Sequence, residues 1–141
     1  MAMITRSYCP EDEDELITLW EACGLIVPQN DARKDIQRKC RIDGKLLLVG
    51  ERDGEIVASV MAGYEGHRGW INYLAVSPAC RRQGLARQIM DEAQRRLHEK
   101  GCPKINLQIR ETNVAVKAFY ESIGYKQDPV TSMGKRLIKD D

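Results

Sequence analysis

The sequence predicts an α/β domain (α+β type) in which a mixed, mostly antiparallel β-sheet carries about four helices on its faces. Three observations indicate this class. Apolar runs fill the middle of the chain, helical periodicity lies on both sides of them, and Asp53-Gly54 separates two of the runs as a typical hairpin turn. Because 141 residues is the length of one ordinary domain, we expect residues 1–141 to form a single domain.

The first half of the chain predicts a strand, two helices and a three-stranded meander. A strand over Met3–Ser7 is followed by a helix that begins at Pro10 and ends at Gly24. Proline and the acidic residues behind it suit the first turn of a helix. A second helix is predicted over Asp31–Ile42. The meander comprises strands over Leu46–Val49, Glu55–Tyr64 and Trp70–Val76.

The second half of the chain alternates helices with strands. The longest helix starts at Leu85, presents one apolar stripe and ends at Gly101. The remaining elements are a strand over Lys104–Ile109, a helix over Asn113–Ile123 and one or two strands over Tyr125–Leu137, interrupted by Pro129. Since a helical crossover joins parallel strands, Trp70–Val76 and Lys104–Ile109 should be parallel neighbours.

Composition excludes several classes of function. The 22 basic and 21 acidic residues nearly cancel, which argues against nucleic-acid binding through bulk positive charge. The longest apolar run, Ile56–Met61, is too short to span a membrane, and the N-terminus has no signal-peptide core. Five cysteines without a C-x-x-C pair fit reduced thiols in a cytoplasmic protein. With only His67 and His98 as histidines, no metal site is expected.

The segment R-R-Q-G-L-A over residues 81–86 lies between a predicted strand and the longest helix. A helix N-terminus presents unpaired N–H groups and a positive dipole end, so this turn is expected to bind a phosphate group. Glycine at position 84 allows close approach of the backbone, although glycine before a helix is also common without any ligand. The residues expected at this site are Arg81, Arg82, Gln83, Gly84, Leu85, Ala86 and Arg87.

The segment resembles the Q/R-x-x-G-x-G/A loop that binds the acyl-CoA pyrophosphate in the GNAT family of N-acetyltransferases. A second group resembles the family's N-x6-Y-x3-G-F/Y element: Asn113, Phe119, Tyr120, Gly124 and Tyr125. The predicted order of elements also resembles the family over essentially the full chain, and within the family the small bacterial YpeA-like branch.

The resemblance implies acetyl-CoA as co-substrate, without a metal, and direct acetyl transfer to a primary amine of a small molecule or a protein. Tyr120 would be the general acid that protonates the departing thiolate. Asn113 and Phe119 would lie near the cofactor arm. Tyr120 could instead be a core residue, and Asn113 could only cap its helix. The backbone N–H groups expected to bind the pantetheine arm and the thioester carbonyl are those of Leu74, Ala75 and Val76.

The group that deprotonates the amine is not fixed by the resemblance. Glu65 and His67, in the predicted turn of the meander, are candidates for a base, and Asn72 and Tyr73 are candidates for the acceptor pocket. Glu111 is a further candidate, whereas the amide of Gln108 cannot act as a base.

Two other functions stay open at this stage. The chain could be a non-catalytic acyl-CoA-binding sensor or assembly module, or an α/β domain that binds another phosphorylated ligand. The resemblance also allows a homodimer.

Overall fold

A five-stranded sheet forms the centre of the protein in a computed structural model that describes residues 2–140. Neighbouring strands are antiparallel except for the last two, which are parallel. The mixed, mostly antiparallel sheet with one parallel pair is therefore confirmed. In the order in which they lie across the sheet, the strands are β1 (Ile4–Ser7), β2 (Leu47–Arg52), β3 (Glu55–Tyr64), β4 (Gly69–Val76) and β5 (Ile105–Leu107).

Four α-helices accompany the sheet, as the sequence predicts. They are α1 (Glu13–Ala22), α2 (Ala32–Asp43), α3 (Leu85–Glu99) and α4 (Val114–Ser122). The Asp31 carboxylate accepts a hydrogen bond from the Lys34 N–H at 3.0 Å and so caps α2. Ahead of α1, the predicted helix start at Pro10 is a short 3-10 turn over Pro10–Asp12.

The apolar runs of the strands arise because both faces of the sheet are covered. Leu47 and Val49 of β2 pack in one core cluster, which contains Leu16 and Trp20 of α1. The intervening Leu48 belongs to a second cluster, which contains residues of α3 and α4. Alternate residues of a strand point to opposite faces, so a strand buried on both sides reads as a continuous apolar run.

The turn between β2 and β3 has the conformation that its sequence predicts. Asp53 and Gly54 have φ values of 53° and 78°. Both residues of a type I′ turn need positive φ, which glycine and aspartate tolerate better than most residues. The two-residue hairpin is therefore confirmed.

The predicted strands over Tyr125–Leu137 are wrong. Within residues 2–140 no strand follows β5, and β5 is itself shorter than the predicted Lys104–Ile109. Pro129 has no N–H to donate to a ladder, and side chains hold the segment instead. Lys104 Nζ lies 2.8 Å from the Asp128 carboxylate, and Gln108 donates to the hydroxyl of Ser132.

In the part of the chain that the structure describes, no helix is both long enough and apolar enough to cross a membrane.

Candidate functional site

Strand β4 carries a β-bulge at its centre. Its register against β3 shifts, since Ala75 lies opposite Ser59 but Asn72 lies opposite Met61. Tyr73 and Leu74 therefore face a single residue of β3, and Tyr73 has a φ of 52° in the left-handed region. The extra residue of a bulge interrupts the alternation of side chains between the two faces of a strand, so two successive side chains lie on one face. Here they are Asn72 and Tyr73, which both line a pocket beside α2.

Buried polar contacts with α1 and β3 hold the bulge. The hydroxyl of Ser59, which is fully buried, donates to the Tyr73 carbonyl at 2.9 Å. The Trp20 indole N–H donates to that same hydroxyl at 2.8 Å, and its ring stacks on the Tyr73 ring with centroids 3.9 Å apart. These contacts join residues far apart in the chain, which explains why the sequence did not predict the bulge.

Replacing Ser59 by alanine is expected to lower the free energy of unfolding by about 1–3 kcal/mol, because the Trp20 N–H and the Tyr73 carbonyl both lose a buried partner. Urea denaturation measures the change. The exposed Ser122 supplies the control, since its replacement by alanine should alter stability by less than about 0.5 kcal/mol. Equal effects of the two substitutions would contradict the role given to Ser59.

Beyond the bulge, one edge of β4 is open. Strand β5 pairs with β4 only along Gly69–Ile71. Ser77, just after β4, donates its N–H to the Val57 carbonyl at 2.8 Å. Hydrogen bonding alternates along an antiparallel strand, so Ala75 also faces β3, whereas the backbone groups of Leu74 and Val76 face the open edge. Of the three amides predicted to bind the cofactor arm, geometry leaves these two accessible.

The predicted phosphate-binding loop connects the open end of β4 to α3. Gly84, with a φ of 76°, occupies the N-cap position and offers no side-chain cap to the helix. Arg82 also has a left-handed conformation, with a φ of 64°. The first N–H groups of a helix have no acceptor within it. Among residues 2–140, the backbone N–H groups of Leu85, Ala86 and Arg87 accordingly have no acceptor at the positive end of α3.

The side chains of this loop divide into two groups. Arg81, Arg82 and Arg87 are exposed and available to an anion. Gln83 instead accepts a hydrogen bond from Arg52 Nη1 of β2 at 2.7 Å. Arg52 was not singled out in the sequence, because nothing local indicates that β2 ends beside this loop.

Tyr120 lies on α4 in the same core cluster as Leu74 and Val76, and is 6% exposed. Its ring meets that of Tyr125 edge to face, with centroids 5.5 Å apart, and that of Phe119 at 5.3 Å. The Tyr120 ring is buried, but its hydroxyl has no hydrogen-bond partner among residues 2–140. Desolvation raises the pKa of Tyr120, so the phenol keeps its proton at neutral pH.

Asn113 caps α4, as one of its two predicted roles requires. Its side-chain oxygen accepts a hydrogen bond from the Val116 N–H at 3.2 Å. The residue is exposed. Capping uses the side-chain oxygen and leaves the amide NH2 group free, so a contact with the cofactor arm stays a prediction.

An open pocket of about 490 Å³ lies between α2 and the bulge. The Tyr73 hydroxyl donates to Asp35 Oδ2 at 2.7 Å across it. Burial and this carboxylate raise the pKa of Tyr73. The sequence places the second helix among the elements expected around an acceptor pocket but does not fix how it packs, so its polar residues were not singled out. The pocket is lined by Leu25, Asn30, Asp35, Arg38, Lys39, Ile42, Met61, Asn72 and Tyr73.

Glu65 and His67 lie outside the residues that line this pocket. Glu65 is exposed in the β3–β4 turn, where it accepts hydrogen bonds from the backbone N–H groups of His67 and Arg68, and these bonds lower the pKa of Glu65. The turn directly precedes Gly69, the first residue of β4, and Gly69 lies four residues before Tyr73. The end of the turn and Tyr73 are therefore about 13 Å apart along an extended strand.

A protein-family model described as "Acetyltransferase (GNAT) family" matches residues 10–125 of the chain. The match covers α1 to α4 and therefore includes the open edge of β4, the loop before α3 and Tyr120.

Solved structures share the fold. AAC(6')-Iy in complex with the bisubstrate analogue CoA-S-monomethyl-acetylneamine has a TM-score of 0.78 at 18% identity, covering 97% of this chain and 100% of that one. Glucosamine-6-phosphate N-acetyltransferase from Arabidopsis thaliana has a TM-score of 0.71 at 22% identity, covering 98% and 100%. A predicted acetyltransferase from Clostridium acetobutylicum, solved with acetyl-CoA, has a TM-score of 0.70 at 19% identity, covering 94% and 96%.

Proposed function

This chain belongs to the GNAT family of acetyltransferases, and we propose that it transfers an acetyl group directly from acetyl-CoA to a primary amine. One observation carries the proposal: the open edge of β4 leads without interruption into the glycine-containing loop before α3. Seven residues separate the free backbone groups of Val76 from Gly84. A pyrophosphate held at the N-terminus of α3 would leave its pantetheine arm beside β4, where amide partners are available.

In this proposal the loop before α3 and strand β4 bind different parts of the cofactor. The N–H groups of Leu85, Ala86 and Arg87 bind the pyrophosphate, and the exposed arginines Arg81 and Arg82 add charge-assisted hydrogen bonds. The N–H groups of Leu74 and Val76 hold the pantetheine arm and polarise the thioester carbonyl. Phe119 and Asn113 border the arm from α4.

Tyr120 completes the reaction as the general acid. When the amine nitrogen bonds to the carbonyl carbon, the carbon–sulfur bond breaks and the sulfur needs a proton. Tyr120 suits this role because its hydroxyl has no partner among residues 2–140, and because its raised pKa keeps the hydroxyl protonated. The amine enters from the pocket lined by Asn72 and Tyr73. Glu65 and His67 stay candidates for a base that acts through water.

We also infer the organisation and relatives of the protein: a single domain that belongs to the small bacterial YpeA-like branch. It would act on the amine of a small molecule or a protein, and it could form a homodimer. A cytoplasmic location is supported by the cysteines, since the five of them are all free thiols.

Calorimetric titration is expected to show that acetyl-CoA binds at least about tenfold more tightly than ADP, because only acetyl-CoA can bond to the open edge of β4 as well as to the loop. Equal affinities would overturn the proposal and leave only an anion site at a helix end.

A screen of primary amines with mass detection then tests for transfer. Acetylated product supports catalysis. Tight binding of acetyl-CoA without product from any amine would favour the non-catalytic sensor.

A further inference from the structure

We propose that the acceptor amine also carries an anionic group, a carboxylate or a phosphate, and that Lys39 binds this group. The inference rests on the proposed function, because it names the class of substrate that the pocket beside the bulge would take.

Lys39 differs from the other charged residues that line the pocket. Arg38 donates through both Nη atoms to the Asp140 carboxylate at 2.8 Å, and its Nη1 lies 3.3 Å from Asp35, so two carboxylates share one guanidinium. Asp35 also accepts the Tyr73 hydroxyl. Lys39 has no ion pair and no hydrogen bond among residues 2–140, although it lines the pocket. Its ammonium is therefore the cation of the pocket that is left available to contact an anion.

The position of that charge is set by the sheet below it. Lys39 is half-buried, and a methyl group added at Gly63 of β3 would stand 3.2 Å from its Nζ. Gly63 pairs with Trp70 of β4, so the ammonium lies above this end of the two strands. Burial lowers the pKa of Lys39, and a bound anion would oppose that shift by stabilising the charged form.

The amine of the acceptor would lie at the opposite end of the pocket. Asp35 is one helical turn before Lys39 on α2 and contacts Tyr73 at the bulge. Its carboxylate attracts an ammonium and repels an anion, which orients the acceptor. Trp70 and Tyr73 are three residues apart, or about 10 Å along β4. The pocket therefore suits an acceptor whose amine and anionic group are several ångströms apart.

Two matched pairs of amines test the inference: L-lysine against cadaverine, and glucosamine 6-phosphate against glucosamine. For the wild-type protein, kcat/KM is expected to be at least about tenfold higher for the anionic member of one pair, and the pair that responds distinguishes carboxylate from phosphate. Lys39→Met should lower kcat/KM for the amine with the anionic group by about tenfold to a hundredfold and change kcat/KM for the partner without that group much less.

Three further variants control for the position and the sign of the charge. Lys39→Arg should retain much of the selectivity, because it keeps the charge. Lys39→Glu should reverse the preference in favour of the partner without the anionic group. Lys34→Met, an exposed position on the same helix that does not line the pocket, should leave both rates unchanged.

Calorimetric titration of the same four amines into the CoA complex, which has no acetyl group to transfer, gives the comparison without turnover. Tighter binding of an anionic amine, lost in Lys39→Met, supports the inference even if no amine is acetylated, in which case only the catalytic proposal fails. Equal binding or equal kcat/KM within both pairs would overturn the inference. An equal loss in Lys39→Met for the members with and without the anionic group would also overturn it.

Discussion

Tyr120→Phe is expected to lower kcat by about 10²–10⁴-fold and to change the Kd for acetyl-CoA by less than about twofold. The substitution removes only the hydroxyl. That hydroxyl bonds to nothing else among residues 2–140, so its loss leaves no buried partner unsatisfied. The ring would keep its edge-to-face contact with Tyr125 and its place in the core. Steady-state kinetics with the best amine from the screen, and calorimetry with acetyl-CoA, measure the two quantities.

Tyr125→Phe is the matched control for this variant. Tyr125 is the neighbouring half-buried tyrosine, with a pKa raised to about 12 by burial, but its hydroxyl donates to Gln94 Oε1 at 2.8 Å. Removing that bond should cost about 1 kcal/mol of stability and leave kcat nearly unchanged. An unchanged kcat in Tyr120→Phe, or equal losses in the two variants, would remove Tyr120 from the mechanism and return it to a core role.

The elements predicted well are those whose signals are local. The bounds predicted for β3, Glu55–Tyr64, agree with the structure, because the Asp53-Gly54 turn marks its start. The cap of α4 at Asn113 was likewise visible in its own side chain. The segment after Tyr125 was predicted wrongly because strand formation depends on a partner edge, and that edge is not encoded in the segment itself.

In the candidate site, too, local features could be predicted and features that depend on distant packing could not. The loop around Gly84 could be predicted because a strand, a glycine and a helix start follow one another within a few residues. The residues of the pocket beside the bulge could not, since their arrangement depends on how α2 packs over a bulge in β4. The bulge is held by Trp20 and Ser59, which are 39 positions apart. Asp35 and Lys39 come to line one pocket with Tyr73 only through this distant packing.

Gly84→Leu is expected to weaken acetyl-CoA binding by about tenfold to a hundredfold, because several charge-assisted bonds to the pyrophosphate depend on close approach of this backbone. Apart from its two chain neighbours, no atom of residues 2–140 lies within 4 Å of a Cβ added at Gly84, so the new side chain would meet a bound cofactor rather than the protein. The left-handed φ of 76° adds a cost of about 1–2 kcal/mol to folding for any residue with a Cβ. Calorimetry and urea denaturation separate the two effects.

Gly101→Leu separates backbone strain from ligand contact. Gly101 follows the other end of α3 with a φ of 85°, and a Cβ there also meets nothing within 4 Å. The two variants should therefore lose similar stability, about 1–2 kcal/mol, because both force a left-handed conformation on leucine. Only Gly84→Leu should lose affinity for acetyl-CoA, since only the N-terminus of α3 presents free N–H groups to an anion. Equal affinities in the two variants would mean that the pyrophosphate binds elsewhere, and the account of the loop would fall with it.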